Sequence, residues 1–481
     1  MSGRMAPDSS SSTEPFTVEA LRAVEAELSE PKFLGVPMGP TLNDLLVIEV
    51  FNARGDWGAK AAILNRIRRI SRVVRPVRGP KVPAQVSQGK ILLTWADPGF
   101  RLRELVLPVL KELGPARCAV VCARLGMLSQ VPRPAEAVEW SRIMQYDVRA
   151  WRAEYRKCWP EWRKRLRDVT KRLALPSGLV HRAGTCLAVH SQYVAGCLNF
   201  LRRCRPAAIV TEFDRNHLWS CLILAARKVG IPTFTLVHGV FRDDALGFSP
   251  LLADKALCWG EMDRRKFLNA GEDPGKLVIT GCPRLNRDLT MTPAEARRKV
   301  GLDADKPVVM LGTSPFSPSQ CLRLAETFCK AVEGAEDFSA VVRLHPSEKL
   351  EVYKAVSDRY PGVLFLPNKA WTLEESLAAS NVVVVHDSSL GCDALLKRRP
   401  VVVLDVLDCP LGVSQELIDK AGCPRAANSA QLAETIRALL TERHETNGCR
   451  KTAENYVGEF CAAFGEDAAR RTADAVRESI G

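Results

Sequence analysis

The chain has 481 residues, 46% hydrophobic and 26% charged, with a formal net charge of +13. That length rules out one ordinary core and points to two or three domains of roughly 100–200 residues each. The composition is that of a folded soluble protein, and no stretch approaches the ~20 consecutive apolar residues that a membrane-crossing helix needs.

The Ser-rich opening, MSGRMAPDSSSSTEP, lacks an apolar run, so disorder is expected there rather than a secretory signal. Residues 1–88 read as an N-terminal extension, with a strand predicted at 45–51, a basic helix at 57–73 and a Pro-rich linker at 74–88. Between Arg54 and Lys81, Arg66, Arg68, Arg69, Arg72, Arg75 and Arg78 face a single acid, Asp56. A regular α/β alternation then defines a first domain, 89–290, with strands at 91–95, 118–122, 207–211, 233–237, 256–259 and 277–280. Its helices are predicted at 102–113, 218–229 and 262–269, with a helical insertion between the second and third strands. That insertion interleaves Arg152, Arg156, Lys157, Arg163, Lys164, Arg165 and Arg167 with Trp151, Tyr155, Trp159 and Trp162. The pattern fits an anionic membrane surface or polymer, or a solvated helix whose tryptophans pack inward. No helix-turn-helix, zinc-finger or RNA-binding signature accompanies it, so nucleic acid is not an expected partner.

Apolar density falls between Leu289 and Lys306, the predicted domain boundary. A second domain, 291–455, carries strands at 308–311, 339–343, 363–366, 382–385 and 401–404, and a C-terminal helix, 456–481, ends the chain. Strands alternating with helices in both halves predict an α/β protein of two doubly wound, Rossmann-like parallel sheets facing across a cleft. The 16 cysteines are scattered singly, and Cys118 with Cys122 has no second pair to complete a zinc site. Buried, reduced thiols in a cytoplasmic protein are expected.

Four of the seven histidines, His217, His238, His345 and His386, fall just after predicted strands. Loops at the carboxyl ends of parallel strands are where ligands sit, and imidazole transfers protons near neutral pH. His217, with Asp214 in the same loop, and His238, beside Gly239, would line one wall of the cleft. His345 and His386 would line the other. The unit 380–405 reads strand, polar loop, helix, strand, and sets Ser388 and Ser389 at a helix start. Asp303-Ala304-Asp305 has a metal-binding spacing but lies in the inter-domain segment, so no metal is expected.

The stretch VHGVFRDDALGFSPLLADKALCWGEMDRRKFLNAGEDPGKLVITGCPRL resembles the central segment of GT-B-type transferases that build bacterial surface polymers. The shared features are His238-Gly239, Ala253-Asp254, Trp259-Gly260-Glu261 and Thr280-Gly281-Cys282-Pro283-Arg284. RLHPSEK and VHDSSLGCDALLKRRPVVVLD are similar to the donor-binding half of the same group. That group includes capsule polysaccharide biosynthesis transferases, CDP-glycerol glycerophosphotransferases and, more distantly, non-hydrolysing UDP-N-acetylglucosamine 2-epimerases. The resemblance spans about residues 207–480.

The resemblance implies a GT-B-like enzyme without a cofactor. It would move a sugar, or a glycerol phosphate, from a nucleotide-activated donor to a surface polysaccharide or lipid-linked acceptor; the basic, Trp-rich helices would then hold it in peripheral contact with an anionic membrane, at the inner face. By the same resemblance His238 is the general base toward an acceptor hydroxyl, or a ligand to it, and His345 and Arg343 contact the donor phosphates. Ser388 and Ser389 hold the pyrophosphate, Thr313 and Ser314 line the same pocket beside His386, and Asp393 reaches the ribose. Asp214, His217, Gly239 and Arg284 belong to the acceptor side or cleft, although Arg284 can equally bind an acid between the domains. Asp393 stands where glutamate is commoner and Asn286 where many relatives have aspartate. The Ser-Gly-Gly and paired glutamates of the epimerase branch are missing. An epimerase or hydrolase, and a non-catalytic nucleotide-binding protein of the same fold, remain the alternatives.

Overall fold

The computed structural model describes residues 17–54, 85–96, 100–176, 178–367, 369–441 and 447–480. The Ser-rich tail, the expected helix at 57–73 and most of the linker at 74–88 lie outside these residues.

The first sheet contains β1 (Ile91–Trp95), β2 (Cys118–Cys122), β3 (Glu136–Glu139), β4 (Ala208–Thr211), β5 (Thr233–Leu236), β6 (Lys255–Cys258) and β7 (Leu277–Ile279). The second contains β8 (Val308–Gly312), β9 (Ser339–Arg343), β10 (Val363–Leu366), β11 (Val382–Val385), β12 (Val401–Leu404) and β13 (Arg425–Ala426). Their orders are β3-β2-β1-β4-β5-β6-β7 and β10-β9-β8-β11-β12-β13, and the pairings among described residues are parallel. Strands β1, β2, β8, β11 and β12 are buried along their whole length, because helices cover both faces of such a sheet. Each sheet reverses strand order next to its first strand, between β1 and β4 and between β8 and β11. The exits of those strands open a crevice.

Residues 43–54 form a helix, not the expected strand. Leu42, Leu46 and Val50 lie four residues apart and are each 0% exposed, a helical spacing that the β-branched run conceals. This helix, α2 (Asn43–Arg54), and α1 (Val18–Glu27) join the core of the first domain. The first domain's other helices include α3 (Phe100–Leu113), α4 (Val148–Arg172), α5 (Gly178–Cys204), α6 (His217–Lys228) and α7 (Glu261–Asn269). The basic, Trp-rich segment is α4. Its Trp162 is fully buried, donates to Pro31 O at 2.9 Å and lies 6.4 Å from the Phe33 ring.

In the second domain α8 (Leu390–Leu396) leads from β11 to β12 and α9 (Val413–Asp419) follows β12. The C-terminal helical stretch is broken into α10 (Asn447–Phe460) and α11 (Gly465–Ile480), and the break returns to the first domain. Ala462 N–H donates to Trp259 O, Cys282 N–H to Ala463 O and Gly465 N–H to Leu285 O, each at 2.9 Å. Fifteen described cysteines are free thiols, buried except for the half-buried Cys409. Among the described residues no helix is long and apolar enough to cross a membrane.

Candidate active site

The wall supplied by the first domain is built on the exits of β4 and β5. His238 follows β5, and its ring stacks on Phe248 at 5.0 Å and leans on Phe213 at 4.5 Å. The half-buried imidazole is thereby fixed by two aromatic faces. No atom lies within 4 Å of the point a Cβ would occupy on Gly239, so space is open next to His238.

The β4 exit is braced rather than free. Asp214, 2% exposed, accepts from Leu252 N–H at 2.7 Å and Ala253 N–H at 2.9 Å, and burial raises its carboxyl above the usual range. Its place is that of a strut between the β4 exit and the segment before β6. Arg215, 0% exposed, pairs with Glu25 and donates to Asn43 Oδ1 at 2.9 Å. His217 Nδ1 lies 2.9 Å from Asp44 Oδ2, and its ring stacks on His190 at 6.3 Å. Burial pushes His190 down to about 3, so it is neutral. Helices α1 and α2 therefore supply Glu25, Asn43 and Asp44 to a cleft loop.

The wall supplied by the second domain is organised by Glu348, which lies just beyond β9. It accepts from the Thr313 hydroxyl, from His345 N–H at 2.9 Å, from Tyr353 Oη at 2.7 Å and from Cys321 Sγ at 3.2 Å. His345 stays partly exposed, with Nδ1 2.8 Å from Ser347 Oγ. Arg343, 8% exposed, ends β9, and its carbonyl accepts from Thr313 N–H at 3.1 Å. Ser314 donates to Asp387 O at 3.0 Å, tying the β8 and β11 exits together.

At the β11 exit Ser388 Oγ accepts weakly from Leu390 N–H at 3.3 Å. Ser389 is the N-cap residue of α8 but makes no side-chain capping bond, so its hydroxyl is not consumed by the helix. His386 is 1% exposed, with Nδ1 2.9 Å from Leu404 O and Nε2 3.3 Å from Cys409 Sγ. Its nitrogens serve its own domain, not the set of donors expected from its position.

Contacts among the described residues cross between the walls. A Cβ placed on Gly412 would lie 2.9 Å from Asp387 Oδ2 and 3.5 Å from Arg242 Nη1, so Arg242 of the first domain reaches the second domain's loops. Lys266 Nζ on α7 lies 2.6 Å from Glu416 Oε1 on α9 and donates to Phe241 O at 2.7 Å. Burial raises the Glu416 carboxyl, and its hydrogen bond with Asp243 raises it further. Arg284, stacked over Trp259 at 5.4 Å, faces Asp393 at 4.0 Å, and both side chains are almost fully buried. Asp393 therefore meets an arginine of the other domain where a ribose contact was expected.

Arg242, Lys266, Glu348 and Glu416 escape a reading of the sequence. Arg242 and Glu348 carry the one available signal, a place a few residues past a strand end. The acid–arginine alternative for Arg284 was legible in its motif.

No protein-family model and no curated protein matches the chain. Solved structures do resemble it. MnaA of S. aureus, solved with UDP, is 13% identical, with 82% of this chain and 97% of that one aligned and a TM-score of 0.52. UDP-GlcNAc 2-epimerase from Neisseria meningitidis, bound to UDP-GlcNAc, is 13% identical over 81% of this chain and 99% of that one, with a TM-score of 0.52. The glycotransferase of kitacinnamycin is 14% identical over 82% of this chain and all of that one, with a TM-score of 0.50. Identity this low speaks for the architecture alone, and that architecture, two facing parallel-sheet domains, is GT-B-like.

Proposed function

We propose that the chain transfers a sugar from a nucleotide-activated donor to a hydroxyl of a surface-polymer or lipid-linked acceptor. The observation that carries this reading is the pairing of opposed cleft walls. An aromatic-clamped His238 beside open space stands on one, and partly exposed His345, Ser388 and Ser389 stand on the other. In this reading His238 takes the acceptor's proton as its oxygen attacks the sugar carbon, and the bond to the nucleotide diphosphate breaks. Arg343, His345 and the serine hydroxyls offset the charge that develops on the departing diphosphate. The residues that hold the reacting groups are all this chain's own, and no cofactor is invoked.

A second reading, epimerisation of a sugar nucleotide, is favoured by the 2-epimerase among the similar folds. Asp393 argues against it, because the carboxylate is buried against Arg284 rather than open to a sugar ring. A thermal-shift panel of CMP, CDP, UDP, GDP and ADP tests the nucleotide site. A ligand at ~100 times its Kd stabilises by about 2.7 kcal/mol, and a flat panel would overturn both readings. Sugar nucleotides incubated without acceptor then separate them, since product in that reaction means epimerisation or hydrolysis. Nucleotide binding with no turnover of any donor, acceptor present, would mean a binding protein.

A further inference from the structure

Helix α4 has two faces of opposite chemistry. Cys158, Trp162, Leu166 and Val169 are buried. On the opposite side Arg149, Arg152, Arg156, Arg163, Arg167 and Lys171 succeed one another at spacings of 3, 4, 7, 4 and 4 residues, which keeps them in one stripe. All are exposed, as are Lys157 and Lys164 beside them. At the helical rise of 1.5 Å per residue the stripe is about 33 Å long. The helix's acids, Glu154, Glu161 and Asp168, sit together on one flank, where Glu154 takes Lys157 at 3.3 Å and Glu161 takes Arg165 at 2.9 Å. Among the described residues none of the stripe cations forms an ion pair. Trp151, Tyr155 and Trp159 form a half-buried stack on the inner side, with ring separations of 5.6 and 5.9 Å, and pack on the first domain's core, where Trp151 Nε1 donates to Ser191 Oγ at 3.0 Å. Val148, at the helix start, is 39% exposed.

We propose that this face docks the protein on an anionic bilayer surface. A straight row of unpaired cations is complementary to a plane of acidic head groups, where each basic side chain adds attraction. A nucleic-acid groove fits less well, because α4 is packed along its length and cannot enter one. The docked helix is also firmly joined to the cleft. Trp162 and Arg165 bond to the carbonyls of Pro31 and Glu27. The same N-terminal segment supplies the Glu25 that pairs with Arg215 at the β4 exit. On the transfer proposed above, surface attachment would hold the first wall of the cleft at the membrane that carries the acceptor.

The test is co-sedimentation of the full chain with phosphatidylcholine vesicles, with and without about 30 mol% phosphatidylserine. Binding only to the acidic vesicles, lost at high salt, is expected. The variant Arg152→Glu/Arg156→Glu/Arg163→Glu should lower partitioning by at least ~10²-fold. Arg298→Glu/Lys330→Glu/Arg437→Glu, with the same change in net charge at exposed positions of the second domain, should bind like the parent. If the reversed variant melts early, Arg152→Gln/Arg156→Gln/Arg163→Gln replaces it. Wild-type protein left in the supernatant would overturn the proposal. So would equal losses in the two triple variants, or binding of a DNA duplex in preference to acidic vesicles.

Discussion

Lys266 Nζ lies 2.6 Å from Glu416 Oε1, joining α7 of the first domain to α9 of the second, and the two side chains are only 4% and 7% exposed. A buried charge that loses its partner is costly, whereas replacing both charges with apolar groups is often nearly neutral. Lys266→Met is therefore expected to destabilise by about 3–5 kcal/mol, and Lys266→Met/Glu416→Leu to recover most of the loss. Urea denaturation of the two variants decides it. A single variant as stable as the parent would mean that the contact contributes nothing.

Asp263, 4% exposed, accepts from Trp259 N–H at 2.9 Å, and burial pushes its carboxyl from 3.8 up to about 7. Because the folded value lies above the unfolded one, the native state favours the protonated form. The resulting stability is full below the unfolded value of 3.8 and is lost as pH rises through about 7. At about 1.36 kcal/mol per unit, the change is on the order of 4 kcal/mol. Asp263→Asn keeps an oxygen for Trp259 and removes the titration. Its stability should fall less than the parent's between pH 4 and 7, and exceed it at pH 8. Parallel pH profiles of the denaturation midpoints would contradict this.

How much of this was legible in the chain follows from burial. Strands β1, β2, β9, β10, β11 and β12 run residue for residue where predicted, since strands covered on both faces read as mostly apolar runs. Strand β3 was not legible: Glu-Ala-Val-Glu sits at a sheet edge and is only partly buried. Helix α2 was not legible because tertiary packing overrides the β propensity of Val47 and Val50. The loops that line the cleft were legible, but not the direction of their side chains. His386 is drawn to Leu404 O, and Asp214 to Leu252 and Ala253, by partners 18, 38 and 39 residues away. The link from Glu25 to Arg215, across 190 residues, leaves no local trace at all.

Arg284 and Asp393 permit a test of which partner the carboxylate has. Asp393 Oδ2 is buried without a hydrogen bond, and Arg284 is the cation it faces. Arg284→Met should destabilise by about 3 kcal/mol or more, whereas Asp393→Asn, which removes the charge rather than stranding it, should cost less. Donor KM should stay within about threefold of the parent in Asp393→Asn, against the roughly tenfold rise or more that loss of a charged hydrogen bond to ribose would bring. A tenfold rise with unchanged stability would return Asp393 to the ribose.

His238 and His345 are expected to fail differently. His238→Ala should lower kcat by about 10²-fold or more while donor affinity holds, as loss of a general base does. His345→Ala should chiefly weaken donor binding, seen as a smaller nucleotide-induced shift in melting temperature. Because the His238 ring also packs on Phe213 and Phe248, His238→Gln serves as the better-filled companion. Full turnover in both alanine variants would remove both assignments.

Gly281 and Gly271 separate strain from docking. Both have left-handed backbones, φ +90° and +85°, but a Cβ on Gly281 would lie 2.3 Å from Ala463 O whereas one on Gly271 meets nothing within 4 Å. Gly271→Ala thus carries only the conformational penalty of about 1–2 kcal/mol. Gly281→Ala adds a clash with the chain turn between α10 and α11, whose Ala463 carbonyl accepts from Cys282 N–H at 2.9 Å. A loss of about 4 kcal/mol or more is expected, with new proteolytic cleavage at 461–464 as the C-terminal helices lift from the first domain. Equal losses in the two variants, without cleavage, would mean that the glycine of the Thr-Gly-Cys-Pro-Arg motif serves backbone conformation alone. The expected contrast makes that glycine a seat for the returning helices, a role that accounts for its place in the motif without any contact to substrate.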